Sequence, residues 1–215
     1  MQTEVEAKFL NINHESLRSE LKAANAIMQQ PMRTMKRVNM DYEDKRLQAK
    51  SGWLRVRDEG HRVTLTYKQL ADWTVDGVQE AEVVVSDFDT TVKIFESLGL
   101  RAKSYQESKR ETWSLDEVEV VLDEWPWVQP FCEIEGPSED AIKAVATKLG
   151  LQWNDAVFGS VEPVYRAEYD ITDEEFYTLS RMIFDEPLPA LLADRKRYQE
   201  SSSTQNQKQK LVVSV

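Results

Sequence analysis

Residues 3–9, "TEVEAKF", alternate strictly: Glu4, Glu6 and Lys8 fall on one side and Val5, Ala7 and Phe9 on the other. A period of two is the pattern of a β-strand, in which successive side chains point to opposite faces. The same alternation returns along the chain. It predicts strands at 32–42, at 53–60 and 61–69 as a hairpin around a tight Asp-Glu-Gly turn, and at 78–86, 104–115, 118–125 and 129–136. Helical spacing appears in three places. Leu17, Leu21, Ala24 and Met28, after a capping Asn13, predict a helix over about 14–28. The segments 87–100 and 138–151 predict two more, each closing on Leu-Gly-Leu. Their similarity suggests a weak internal repeat with halves of 1–100 and 101–170. A duplicated strand-rich unit that closed on itself would make a barrel.

Nearly every strand has one charged and one apolar face. Arg55 and Arg57 oppose Leu54 and Val56; Thr64, Thr66 and Lys68 oppose Val63, Leu65 and Tyr67. Glu80 and Glu82 oppose Ala81 and Val83, Asp123 opposes Leu122, and Glu133 and Glu135 oppose Cys132 and Ile134. Two architectures satisfy this pattern. An open sheet would put its apolar face on the helices and its charges in water, and periodicity alone favours it as the commoner arrangement. A closed sheet would instead line a polar channel with its charges. The grouping of acids on some strands and Arg or Lys on others, with little Ser or Asn, argues for the channel.

Composition narrows the class. The 215 residues are 41% hydrophobic and 30% charged, as expected of a soluble globular protein. A formal net charge of −11 disfavours a nucleic-acid duplex or an anionic membrane as partner. No apolar run reaches the length of a membrane span and no signal peptide is evident, so a cytoplasmic location is expected. Cys132 is the single cysteine and His14 and His61 the only histidines, which argues against a disulfide framework and against Cys- or His-based metal sites. Both histidines are expected to face solvent, Cys132 to be inert core, and Trp53, Trp113, Trp125 and Trp127 to be wall and rim packing.

The strands carry a resemblance. "EVEAKF" (4–9) is similar to the ExExK signature of the CYTH domain family, the triphosphate tunnel metalloenzymes. "LRVR" (54–57), "LTYK" (65–68), "QEAEV" (79–83), "SKRETW" (108–113), "LD" (122–123) and "FCEIEG" (131–136) follow in the family's order. "SVEPVYRAEYDI" (160–171) resembles the family's closing segment. The resemblance covers about 1–171. It implies an α+β fold: a closed eight-stranded antiparallel β-barrel with helices outside. Beyond it, residues 172–199 read as a helical extension, and 200–215, polar and low in aromatics, as a disordered tail. In the extension, 172–186 and 187–198 read as helices that cover the barrel, close one end of it or make a homodimer contact.

The resemblance also implies chemistry. Lys8, Arg55, Arg57, Lys68 and Arg110 would bind the phosphates of a small triphosphate substrate, since guanidinium forks suit phosphate oxygens. Glu4, Glu6, Asp123, Glu133 and Glu135 would hold Mg²⁺ or Mn²⁺, hard cations that prefer oxygen ligands. Lys8 and Glu6 would be catalytic, and Glu80 and Glu82 would support the basic residues or hold metal or water. Two departures from the family pattern stand out. "MDYED" (40–44) replaces a Tyr-Phe-Asp type element, which leaves the register of Arg37, Asn39 and Asp41 open. Lys109 and Arg110 are adjacent where relatives show Lys-x-Arg; one of them faces inward, and Arg110 is the choice. The expected activity is metal-dependent triphosphate hydrolysis. Class IV adenylyl cyclisation of ATP, or non-catalytic binding of polyphosphate or nucleotide, are the alternatives.

Overall fold

The computed structural model describes residues 1–197, so the tail at 200–215 lies outside the described residues. The first strand is divided. β1 (Gln2–Glu4) and β2 (Glu6–Phe9) are separated by Val5, whose carbonyl accepts a hydrogen bond from the Gly136 amide at 3.1 Å. Helix α1 (His14–Ala23) is capped by the Asn13 side chain, which accepts from the Ser16 amide. It ends earlier than expected. Asn25 takes the left-handed conformation at φ 61°, and the Ala26 amide returns to the Leu21 carbonyl, a common way for a helix to stop. Met28 therefore belongs not to the helix but to β3 (Ile27–Tyr42).

The remaining strands are β4 (Gly52–Asp58), β5 (Val63–Leu70), β6 (Val78–Val85), β7 (Leu100–Leu115), β8 (Val118–Glu124) and β9 (Phe131–Glu135). Helices α2 (Phe88–Ser97) and α3 (Glu139–Lys148) start under the side-chain caps Asp87 and Ser138 and stop before Gly99 and Gly150, at φ 96° and 74°. The likeness of the two halves is confined to these capped helices: β1–β6 precede α2, whereas only β7–β9 lie between α2 and α3.

Ten strands form one sheet in the order β1-β6-β5-β4-β3-β7-β8-β9-β2, all neighbours antiparallel, with β10 (Arg181–Met182) added parallel to β7. The fold is α+β, but the ladder is an open path of nine strands, with a tenth beside β7, rather than the expected closed ring of eight. The reason is the break at Val5. β1 pairs with β6 and β2 with β9, so the two ends of the path are consecutive in the chain and cannot bond to each other.

The apolar faces lie under the helices. Leu17 and Leu21 of α1 and Ile142 and Val145 of α3 pack with Ala7, Phe9, Val120, Leu122 and Ile134. Phe88, Val92 and Phe95 of α2 pack against Val38, Val56 and Leu100. Each fully buried aliphatic or aromatic side chain contributes about 1.5–3 kcal/mol. A third cluster joins Trp125 and Phe131 to Tyr165 of α4 (Glu162–Glu168), Phe176 of α5 (Asp173–Phe176), Met182 of β10 and Leu192 of α6 (Ala190–Asp194).

Several local expectations change. The helix expected at 172–186 is one turn, α5, closed by a reciprocal Thr172–Glu175 capping box; the chain then turns into β10. The expected helix at 187–198 is the short α6. His14 is not solvent-facing: it is buried, with Nε2 3.1 Å from the Phe131 carbonyl and Nδ1 3.9 Å from Glu124. His61 is exposed. Cys132 is fully buried, and burial pushes its thiol up, away from the reactive thiolate. Among the described residues no helix is long and apolar enough to cross a membrane.

Candidate functional site

The charged faces converge on a cavity of about 890 Å³, within the size range of about 300–1,000 Å³ usual for small-molecule sites. Strand alternation places Glu4, Glu6 and Lys8, Arg55 and Arg57, Lys68, Glu80 and Glu82, Arg110, and Glu133 and Glu135 on its wall. Asp123 is the exception: it is completely buried behind Arg110. Arg37, Asn39 and Asp41 also line the cavity. Asp41 is occupied with the backbone, accepting from the amides of Tyr42, Leu47 and Gln48 at 2.6, 3.0 and 2.9 Å, and so shapes the loop after β3. Lys109 turns outward, with Nζ 3.5 Å from Glu124 and 4.7 Å from the centre of the Phe184 ring.

The wall is a set of ion pairs. Lys8 is 2% exposed, and its Nζ lies 2.7 Å from Glu6, 3.4 Å from Glu133 and 2.5 Å from the Gly159 carbonyl. Burial acts to lower its pKa, but Glu133 and Glu6 outweigh it and hold the ammonium charged well above the usual range. Lys68 sits 2.6 Å from both oxygens of Glu4 and 3.4 Å from Glu80. Burial nevertheless raises the Glu4 carboxyl above its ordinary value. Arg110 joins Asp123, at 2.7 Å through Nε, to Glu133 at 2.6 Å. Although burial opposes it, Lys8 and Arg110 hold Glu133 well below the carboxylate range. Arg55 and Arg57 each approach Glu82 only at 3.8 Å, and burial together with Arg57 pushes Arg55 down to about 10.

Glu59 is the participant that alternation misses, because it belongs to the hairpin turn rather than to a strand. It is 2% exposed, pairs with Arg57, and lies 2.9 Å from Arg62. Although burial opposes it, these two cations lower its pKa. A depressed carboxylate contributes stability that is full above the unfolded-state value and lost as pH falls through the folded-state value. Glu59→Gln should therefore be less stable than the parent at neutral pH, with the gap closing in acid, as the pH falls below the ordinary carboxylate range and through the lowered value. Urea denaturation at neutral and acid pH checks this; a gap independent of pH would show that the charge of Glu59 is not what matters.

The donor set for a cation is all oxygen, which suits a hard divalent ion. Among the described residues no three His, Cys, Asp or Glu stand already grouped as a metal site. Four of the five expected ligands are held by bases. Glu135 is different: it makes no ion pair within the described residues and keeps an exposed surface toward the cavity. The burying walls, followed by Glu4 and Glu6, push its carboxyl up to about 7. Glu4, Glu6 and Glu135 thus form a mutually repelling acid group that a divalent cation would relieve, and in that chemical sense the residues fit one.

Solved structures share this architecture. A conserved protein from Pyrococcus furiosus is 25% identical, with a TM-score of 0.60 over 72% of this chain and 94% of that one. A candidate adenylate cyclase from Vibrio parahaemolyticus is 16% identical, with a TM-score of 0.67 over 77% and 98%. A candidate adenylyl cyclase from Hippeastrum, described as having a dominant triphosphatase activity, is 14% identical, with a TM-score of 0.53 over 76% and 95%. No curated protein matches the chain. The CYTH domain model matches residues 2–155, from the first strand to the turn that follows α3. With that match spanning all the strands that build the charged wall, the chain belongs to the CYTH domain family.

Proposed function

We propose that this protein is a divalent-metal-dependent triphosphatase that cleaves the terminal phosphoanhydride of inorganic triphosphate or of a nucleoside or thiamine triphosphate. One observation carries the reading: a single cavity sets Arg55 and Arg57, which approach the cavity acid Glu82 only at 3.8 Å, against the acid group Glu4, Glu6 and Glu135. A polyanion meets its countercharge on one wall and would be repelled by the other unless a cation stood between. In this reading Val5 bridges the two ends of the sheet, so that the cavity works as a closed tunnel.

Arg55, Arg57 and Lys68 bind and orient the phosphate chain, and Arg110 extends the same wall. Lys8 stays protonated, so it serves as a donor to a phosphoryl oxygen and not as a general base. Glu6, 2.7 Å from Lys8, accepts the proton of the attacking water. The water oxygen bonds to the terminal phosphorus, the anhydride P–O bond breaks, and the remaining phosphates leave with the bond's electron pair. Glu4, Glu6 and Glu135 would hold Mg²⁺ or Mn²⁺, which when bound would supply charge neutralisation at the phosphates.

The purified protein, with Mg²⁺ or Mn²⁺, should release orthophosphate from at least one member of a panel containing inorganic, nucleoside and thiamine triphosphates. Absence of release with either metal overturns the reading. Cyclic AMP and pyrophosphate from ATP would identify a cyclase instead, and tight binding without turnover a binding module.

A further inference from the structure

Every cation that the alternation pattern brings to the cavity has a carboxylate within 4.0 Å. Arg37 does not, among the described residues. It is 5% exposed and its single side-chain hydrogen bond goes to the hydroxyl of Ser108. Its Nε is buried without a partner. The guanidinium lies 4.4 Å from the centre of the Trp125 ring, so one of its faces is covered by an aromatic surface and its edge N–H groups remain for an acceptor. Its neighbours worsen its position. Arg37 stands opposite Arg57 in the β3–β4 register, and Arg55 and Arg57 also have buried, unpartnered Nε atoms.

A guanidinium does not escape burial by losing its proton. A buried charge without a counterion is destabilising, and folded proteins pair such groups. Three arginines close together, one with no internal countercharge, are one anion short.

We propose that Arg37 is a dedicated receptor for a terminal phosphoryl group, completing with Arg55 and Arg57 a subsite that takes the most highly charged end of the phosphate chain. The proposal deepens the triphosphatase reading and rests on it for the identity of the ligand. The terminal phosphate carries more charge than an internal one and presents oxygens that arginine forks can take bidentately. The arrangement also sets polarity: the terminal group lies toward β3 and β4, and any substituent at the other end of the chain lies away from them.

The alternative is that Arg37 only packs on Trp125. Arg37→Met separates the two, because methionine keeps much of the apolar stem and removes the charge. Inorganic triphosphate, diphosphate and orthophosphate would be titrated calorimetrically into the parent, Arg37→Met and Arg37→Lys proteins, with Mn²⁺ and with chelator, alongside thermal denaturation of each free protein. Arg37→Met should bind triphosphate at least about tenfold more weakly while its own melting temperature is unchanged or raised. Arg37→Lys should recover only part of the affinity, because the fork is lost. Arg37→Met that binds like the parent, or that melts lower in proportion to the affinity it loses, overturns the proposal. A parent that binds triphosphate through Arg37 but turns nothing over would remove the triphosphatase reading and leave the receptor standing. A parent that hydrolyses triphosphate while Arg37→Met binds it normally would do the reverse, and a parent that binds none of the three ligands removes both.

Discussion

Arg110→Ala should lose about 3–5 kcal/mol of folding stability, the range for removing one partner of a buried ion pair. Among the described residues Arg110 is the only cation paired with Asp123, which is completely buried, and it shares Glu133 with Lys8. Its loss leaves two carboxylates inside the sheet with one ammonium between them. For a chain of this size the melting temperature should fall by roughly 10 °C. Arg110→Met combined with Asp123→Leu should lose much less, because an apolar pair of similar volume replaces a buried ionic one at little net cost. Urea denaturation of the single and double variants measures both numbers. A loss under about 1 kcal/mol, as for exposed pairs, would mean that water reaches Asp123. Any fall in triphosphate binding by Arg110→Ala then has to be read beside its stability, which makes it a poor probe of phosphate contact.

Arg57→Ala and Lys68→Ala are better probes, and their expected effects on binding are the largest of the remaining positions. Each should weaken triphosphate binding by about 1.5–3 kcal/mol, the scale of a charge-assisted hydrogen bond, and excess Mn²⁺ should not restore it. Lys68→Ala should lie at the upper end. Its removal strips the cation from both oxygens of Glu4, which then repels the ligand. Glu135→Gln should differ in kind: triphosphate binding without metal survives, while the Mn²⁺ needed for half-maximal turnover rises. Glu6→Gln and Glu133→Gln should also weaken metal activation, but they loosen Lys8 as well, so Glu135 gives the cleaner contrast. Calorimetry with and without Mn²⁺ distinguishes the classes. If Arg57→Ala binds triphosphate like the parent, that strand does not carry the phosphate site.

Alternation made the site's composition legible. Once Glu4, Arg55, Lys68, Glu80 and Glu133 are assigned to one face, the sheet has little choice but to gather them. What alternation could not carry is pairing across strands. Nothing in the spacing of Arg110 and Asp123 says that one is buried behind the other, and nothing marks Arg37 as the cation left over. Turn residues escaped too: Glu59 continues the alternation of Arg55 and Arg57, but it lies past the end of β4, in the hairpin turn, where alternation assigns no face. The division of the first strand was invisible because Val5 continues the alternation of its neighbours while its carbonyl bonds to Gly136. Helical spacing misled where tertiary pairing outweighed propensity. Met28 fits the α1 stripe, yet Asn25 ends the helix and β7 takes Met28 as the partner of Trp113. The stretch after Phe176 reads as a helix, but pairing with β7 draws Arg181 and Met182 into a strand.

A nascent chain makes residues 2–9 well before the strands they pair with. Gln2 waits for Glu80, and Glu6 for Glu135, so the second pairing is unavailable until residue 135 has emerged from the ribosome. Contacts between residues so distant in sequence form slowly. Until they form, part of β6 and all of one side of β9 are bare edges, the kind of surface that templates pairing with another chain. The segment that covers both edges also delivers Glu4, Glu6 and Lys8. Gaining the charged cavity and losing the risk of edge-to-edge association are therefore one folding event.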